Sequence, residues 1–288
     1  MRDYVIFTDS GCDLSPELLA SWGVSHESLV FRFDGEEKEY QNGEMEIGAF
    51  YNKMREGGVA KTAAVNKETF VLAFRKFLEA EKDVLYIGFS SGLSTTYNSA
   101  RLAAIELQEE FPDRKILTVD TLAASAGEGL LVYLAKEKKA EGASIEECAA
   151  YLESIRLNMC HWFTVDDLVY LKRGGRVSPT AAFFGNALGI KPVMHVDNEG
   201  HLVNVLKVRG RRTAITTMAD KLGETALDIE HGKIYISHGD CLADAEYLAS
   251  VLEEKFGCTV DLITDVGAVI GAHSGPGTLA LFFLGNER

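Results

Sequence analysis

Three short apolar runs, residues 4–8 (YVIFT), 83–89 (DVLYIGF) and 115–119 (KILTV), each end in a polar loop and lead into a longer helical pattern. Strands that alternate with helices in this way pair in parallel and need helices on their faces, so a parallel, helix-covered sheet is predicted. Between Leu93 and Phe111 the apolar residues Leu93, Tyr97, Ala100, Ala104, Leu107 and Phe111 recur at helical spacing, the stripe of a helix packed on one face. In open parallel sheets the ligand crevice lies beyond the carboxyl ends of the strands. Here those ends carry TDSGCD (8–13), SSGLST (90–95) and DTLAAS (120–125), so a shared polar rim is expected. Asp9 and Asp120 on that rim suit helix capping better than ligand binding.

Near residue 160 the pattern changes to WFTVDDLVYLKRGGRVSP, then to a stretch of small residues, then to IKPVMHVDNEGHLVNVLKV. The last is two strand-like runs joined through Asn198, Glu199 and Gly200, which reads as a β-hairpin. Helical and strand patterns then resume to the end, giving a second α/β unit with an antiparallel element. Two domains are expected, residues 1–160 and 161–288. No internal repeat or low-complexity linker separates them, which predicts a tight interface.

At 288 residues, with charged residues a quarter of the total, the chain has room for a sizeable core and a cleft. A formal charge of −14 repels phosphate backbones, and the only basic cluster is KVRGRR, Lys207 to Arg212, so nucleic acid is not an expected partner. Cys12, Cys148, Cys160, Cys241 and Cys258 are odd in number, scattered and free of C-x-x-C pairs. They are expected as reduced thiols, with neither a disulfide framework nor a metal site. A strand pattern that starts at once, without a signal-peptide core or an apolar stretch of roughly 20 residues, predicts a cytoplasmic, soluble protein.

The hydroxyl-rich loop at 88–95 admits three chemistries. Residues 88–92, GFSSG, match the G-x-S-x-G nucleophile elbow, which makes Ser90 a candidate hydrolase or esterase nucleophile with an acid such as Asp265 and a base such as His273. That reading lacks an upstream glycine-rich loop for the oxyanion. A phosphate cradle is the second, but no G-x-x-x-x-G-K-[ST] or dinucleotide G-x-G-x-x-G is present. The third is a carboxylate anchor in which Ser91, Ser94 and Thr95 bind a small anionic head at a helix N-terminus. Against it stands simple capping of the helix by Ser94 or Thr95.

Seven segments in order resemble one family: FTDSGCDLS (7–15), KTAAVNKETF (61–70), GFSSGLSTTYNSA (88–100), VDTLAASAGEGLLV (119–132), LVYLKRGGRVS (168–178), GIKPV (189–193) and HSGPGTLAL (273–281). Together they look like the DegV family of bacterial fatty-acid-binding proteins, over nearly the whole chain. The resemblance implies a two-domain α/β fold, an N-terminal parallel-sheet three-layer domain and a C-terminal domain with a mixed sheet. It implies a long-chain fatty acid between the domains, its carboxylate held by hydroxyls that fall on Thr62 and Ser94. It also implies a non-catalytic role without a cofactor. The chain would be the acyl-carrying subunit of a bacterial fatty acid kinase, presenting the carboxylate to a separate ATP-dependent kinase protein that makes an acyl phosphate for phospholipid synthesis. Where the family often has Thr-Ser-x-Pro-Ser, this chain has Thr62-Ala63-Ala64-Val65-Asn66, so the first anchor is leaner; Thr95 replaces a frequent glycine, and Ser274 a threonine.

A carboxylate drawn into an apolar cavity unpaired would be protonated or rejected, so the head group needs donors and gains from a cation. Thr62 and Ser94 come first as donors, with Ser91, Gly92 and Thr95 beside them. His273, on a loop before Ser-Gly-Pro-Gly, comes second, and Arg173 or Arg176 of the KRGG turn third. The small and apolar stretch at 179–189, with Phe183 and Phe184, suits either a tunnel wall or plain core. Arg209, Arg211 and Arg212 form a basic island that suits docking of the kinase or transient contact with a membrane surface, against the simpler reading of a solvated helix start.

Overall fold

A computed structural model describes residues 2–177 and 189–288. Phe183, Phe184 and the rest of the small-residue stretch up to residue 188 lie outside the described residues. Strands β1 (Tyr4–Asp9), β2 (Val24–Glu27), β6 (Asp83–Gly88) and β7 (Ile116–Asp120) form an all-parallel sheet in the order β2-β1-β6-β7. Every residue of β1 and β6 is buried, which is why both read as unbroken apolar runs. Val5, Phe7, Val84 and Tyr86 face the helices Lys67–Glu79 and Thr96–Glu110, whereas Ile6, Leu85 and Ile87 face Ala126–Ala140 and Ile145–Ile155. Alternation along each strand thus feeds two helical layers.

A small antiparallel sheet, β4 (Tyr40–Gln41), β3 (Val30–Phe33) and β5 (Ala60–Ala63), sits beside helix Ile47–Arg55 and puts Thr62 opposite Phe31. Asn66, where the family often has serine, caps the next helix by accepting from the Thr69 N–H at 2.9 Å.

From Met159 onward the chain builds a six-stranded mixed sheet in the order β10-β9-β8-β13-β11-β12. Its members are β8 (Met159–Thr164), β9 (Ile190–Val196), β10 (Leu202–Arg209), β11 (Tyr235–His238), β12 (Leu262–Asp265) and β13 (Leu279–Leu284). The fold is therefore mixed α/β with one parallel and one mixed sheet. The predicted hairpin is β9–β10, with a register break between Asn204 and Leu206. Helices Arg211–Thr225 and Leu242–Phe256 cover one face of this sheet.

Its other face meets helix Ala126–Ala140, which also touches β1 and β6. Being enclosed from both sides, that helix is buried at Ala126 through Val132, and its sequence shows little amphipathic contrast. Gly127 and Gly129 permit the close approach: a Cβ at Gly129 would stand 2.9 Å from the Cys12 carbonyl. Among the five free cysteines, four are buried and Cys241 is half-buried.

The helix expected from Leu93 begins only at Thr96. Leu93 and Ser94 instead form a turn in which both N–H groups donate to the Ser90 carbonyl at 3.1 Å. The cause is tertiary: Gly92 lies against the β9–β10 turn, where a Cβ would stand 2.7 Å from the Glu199 carbonyl.

Candidate ligand-binding cavity

The loop after β6, the tip of β5, helix Ala268–Ser274 and the inner face of the mixed sheet enclose a cavity of about 490 Å³. Most of its wall is apolar, including Leu29, Phe89, Phe163, Leu171, Val196, Leu202, Val269, Ile270 and Phe282. Polar residues on the wall include Thr62, Ser94, Arg176 and His273.

Those four belong to one contiguous patch. Thr62 Oγ1 and His273 Nε2 are hydrogen-bonded at 2.8 Å. Arg176 Nε donates to the Leu93 carbonyl at 3.2 Å, beside Ser94, and its Nη1 donates to the Gly174 carbonyl at 2.5 Å. Gly174 in turn packs on the His273 ring, where a Cβ would stand 3.0 Å from Cγ. The two glycines of KRGG have separate uses: Gly174 makes room for His273, and Gly175 supplies the positive φ of 70° that turns the chain toward Arg176.

Burial, reinforced by the Arg176 charge, pushes the His273 imidazole down to about 4. His273 is therefore a neutral hydrogen-bonding group near pH 7, where a cation was one of the sequence-based expectations. Burial also lowers the Arg176 pKa, but a guanidinium stays protonated in proteins. Among the described lining residues Arg176 is the one formally charged side chain, on a protein of net charge −14. Arg173 is exposed, with its guanidinium 5.6 Å from the Tyr170 ring centre, and is not among the lining residues described.

Ser91, Gly92 and Thr95 also line the cavity. The Ser91 N–H donates to Asp120 Oδ1 at 3.2 Å, and Thr95 precedes its helix without a side-chain cap bond. Ser94 Oγ accepts from the Thr96 N–H at 3.2 Å and pairs with Thr96 Oγ1 at 2.9 Å, so it is a partial cap that also faces the cavity. Asp120 thus ties two loops together rather than capping a helix. Asp9 caps a single 3₁₀ turn at Gly11 and accepts from Tyr86 Oη at 2.6 Å, fully buried beneath the rim.

Ser90 does not meet the partners a hydrolase needs. Its hydroxyl donates to the Gly200 carbonyl at 2.9 Å, locking the β9–β10 turn onto this loop, and the residue is fully buried. His273 is engaged with Thr62, and Asp265 lies 3.5 Å from His238. The described residues form no Ser90–His273–Asp265 relay. In the basic island Arg211 is paired with Asp244 at 2.8 Å, and Arg212 lies 4.6 Å from the Tyr247 ring centre. Arg209 and Arg212 are exposed, Arg211 half-buried.

The family described as "Uncharacterised protein, DegV family" matches residues 3–286. The chain belongs to the DegV family. A DegV domain-containing protein of Clostridium perfringens is 42% identical over all of this chain and 99% of its own length. A DegV protein from Thermus thermophilus, described for its fatty acid binding, superposes with a TM-score of 0.86 at 33% identity, covering 99% of this chain and 100% of that one. A stearic acid-binding protein from Eubacterium ventriosum gives 0.88 at 25% identity, with 98% of each chain covered. Among the described residues of this DegV protein, no helix is long and apolar enough to cross a membrane.

Sequence reasoning missed much of the wall. Phe163 and His161 alternate along β8, and Ala280 and Phe282 along β13, so a period of two in CHWFT and TLALFF was the available signal. Ser125 belongs to the DTLAAS rim segment, whereas Ser237, also on the wall, gave no such signal.

Proposed function

We propose that this protein binds a long-chain fatty acid in the cavity, with the carboxylate at Thr62, Ser94, His273 and Arg176 and the acyl chain along the apolar wall. The observation behind this reading is an apolar cavity whose single described charge is a cation. Burying about 15 methylene-type carbons at about 0.8 kcal/mol each gives on the order of 12 kcal/mol of gross driving force before the costs of association. The chain thus supplies affinity, and the neutral donors with one guanidinium keep the head ionised and oriented. In this reading residues 1–160 and 161–288 are two domains that share the ligand, and Arg173 stays outside its contacts.

The protein then acts as a cytoplasmic carrier that presents the carboxylate to a separate ATP-dependent kinase for acyl-phosphate formation. Thr62, Ser91 and Thr95 stand where β5 and the loop after β6 reach the cavity, and Ser91 and Thr95 are exposed. Native mass spectrometry of the purified protein, followed by solvent extraction, tests the binding. A stoichiometric long-chain fatty acid, lost in a folded Thr62→Ala/Ser94→Ala variant, is the expected result. A protein that is empty and takes up no added fatty acid would remove the proposal. Acyl-phosphate formation with ATP and the kinase, present with the loaded protein and absent without it, tests the carrier role.

A further inference from the structure

Helix Ala268–Ser274 brings His273 to the cavity, yet its start is held by residues from the opposite end of the chain. The first N–H groups of a helix have no carbonyl one turn back to serve them. Here the Gly267 N–H donates to Asp13 Oδ1 at 3.0 Å, and the Val269 N–H donates to Asn42 Oδ1 at 3.1 Å. Just before them, Tyr51 Oη donates to the Val266 carbonyl at 2.8 Å, and Thr264 Oγ1 donates to the Asp13 carbonyl at 3.0 Å.

Both acceptors are themselves fixed. Asp13 is buried, and its second oxygen accepts from Ser125 Oγ at 2.5 Å. Asn42 Nδ2 donates to the Ser10 carbonyl at 2.9 Å, which turns the amide oxygen toward Val269. The Asn42 N–H donates to the Leu29 carbonyl at 3.0 Å. Gly267 completes the clamp: a Cβ there would stand 2.7 Å from Asp13 Oδ1 and 2.8 Å from Asn42 Nδ2. Its φ of −62° and ψ of 163° are open to any residue, so close approach alone calls for glycine.

The clamp and His273 are mechanically joined. The Gly271 N–H donates to the Gly267 carbonyl and the Gly275 N–H to the Gly271 carbonyl, both at 2.8 Å, so one run of helical bonds spans the segment. At its far end the bond between His273 Nε2 and Thr62 Oγ1 is 2.8 Å, and a good bond ends near 3.2 Å. A shift of about 0.4 Å at the clamp, carried along the helix, uncouples His273 from Thr62 without altering either side chain.

We infer that Asp13 and Asn42 are positioning residues for carboxylate recognition: through helix Ala268–Ser274 they set where His273 stands against Thr62. Neither is among the described residues of the cavity wall. The inference rests on the fatty-acid reading and extends its head-group site to residues that act at a distance.

Val269 and Ile270 of the same helix line the cavity, so a displaced helix also disturbs the acyl chain. Stearyl alcohol carries that chain without a carboxylate and reports this loss alone. The test is therefore competition binding of stearic acid and stearyl alcohol to the full, delipidated chain, in wild type and in Gly267→Ala. The substitution keeps Asp13, Asn42 and His273 and forces the helix start away from its clamp. Wild type should prefer the acid, and that preference should fall about ten-fold in Gly267→Ala, the worth of one hydrogen bond to a charged group. Asn42→Ala should lower it in the same direction. An acid-to-alcohol ratio unchanged in folded Gly267→Ala overturns the inference and leaves the fatty-acid reading standing. A wild type that binds neither ligand, or takes the alcohol as tightly as the acid, overturns the carboxylate site and the inference with it. Should Gly267→Ala not melt cooperatively, the ratio in Asn42→Ala decides, an unchanged value again overturning the inference.

Discussion

Gly174→Ala isolates His273 from every other contact of the carboxylate patch. Gly174 has right-handed backbone angles, φ −73° and ψ −10°, so alanine brings no backbone strain. Its methyl would, however, stand 3.0 Å from His273 Cγ and 3.2 Å from Cε1, and closer still to Nδ1. Carbon contacts are comfortable at about 3.5–4.0 Å, so the buried ring must retreat by roughly half an ångström or more. A retreat of that size carries the 2.8 Å bond to Thr62 past the range of a good hydrogen bond, which ends near 3.2 Å. Overpacking of this kind costs about 1–3 kcal/mol, and the lost bond about 0.5–1.5 kcal/mol. Gly175→Ala is the control: its φ of 70° imposes about 1–2 kcal/mol of strain, yet its Cβ meets nothing within 4 Å. Fluorescent fatty-acid displacement and thermal melts, run in parallel, should show both variants less stable but only Gly174→Ala weakened in binding, by about ten-fold, which is about 1.4 kcal/mol. Equal affinity in the two variants would refute a role for His273 in holding the head group.

In the empty protein the His273 ring resonances should stay flat from pH 8 to pH 5 and move only near 4, to which burial and Arg176 depress it; a midpoint near 6.5 would contradict this. Because the unfolded chain takes up that proton first, the stability tied to neutral His273 is complete above about pH 6.5 and is lost as pH falls through 4. Asp13 runs the other way: burial raises its carboxyl to about 7, so its contribution is present below about 3.8 and lost as pH rises through 7. Wild type should therefore lose stability relative to Asp13→Asn between pH 5 and pH 8 in urea titrations, and a constant difference would be the contrary result. Tyr51→Phe removes a buried 2.8 Å bond to the Val266 carbonyl and should cost about 1 kcal/mol by denaturant melt, with no effect being the refuting outcome. Substituting Arg209, Arg211 and Arg212 together by Glu should abolish kinase-coupled turnover while fatty acid stays bound; unchanged turnover would remove the island as a docking site.

The parallel core was legible because β1 and β6 are buried on both faces, and such strands announce themselves as continuous apolar runs. The hairpin was legible from Gly200, whose φ of 80° meets the turn that Asp197 to Gly200 makes. The role of Ser90 was not legible: the same five letters serve a nucleophile elbow and a structural turn, and the difference is the Gly200 carbonyl 110 residues away. Nor could sequence separate Arg173 from Arg176. They flank one pair of glycines, and the direction each takes depends on Tyr170 and on the Leu93 carbonyl.

Sequence by itself determined the alternation of strands and helices, the rim of hydroxyls at the strand ends and the residue types available to bind an anion. These follow from local periodicity and from backbone geometry that a few neighbouring residues decide. Only the tertiary structure decided that Thr62 and His273, 211 residues apart, share a hydrogen bond, that His273 is neutral, and that Arg176 lines the same cavity. Burial and long-range pairing set those properties, and neither exists until the two sheets close around one helix.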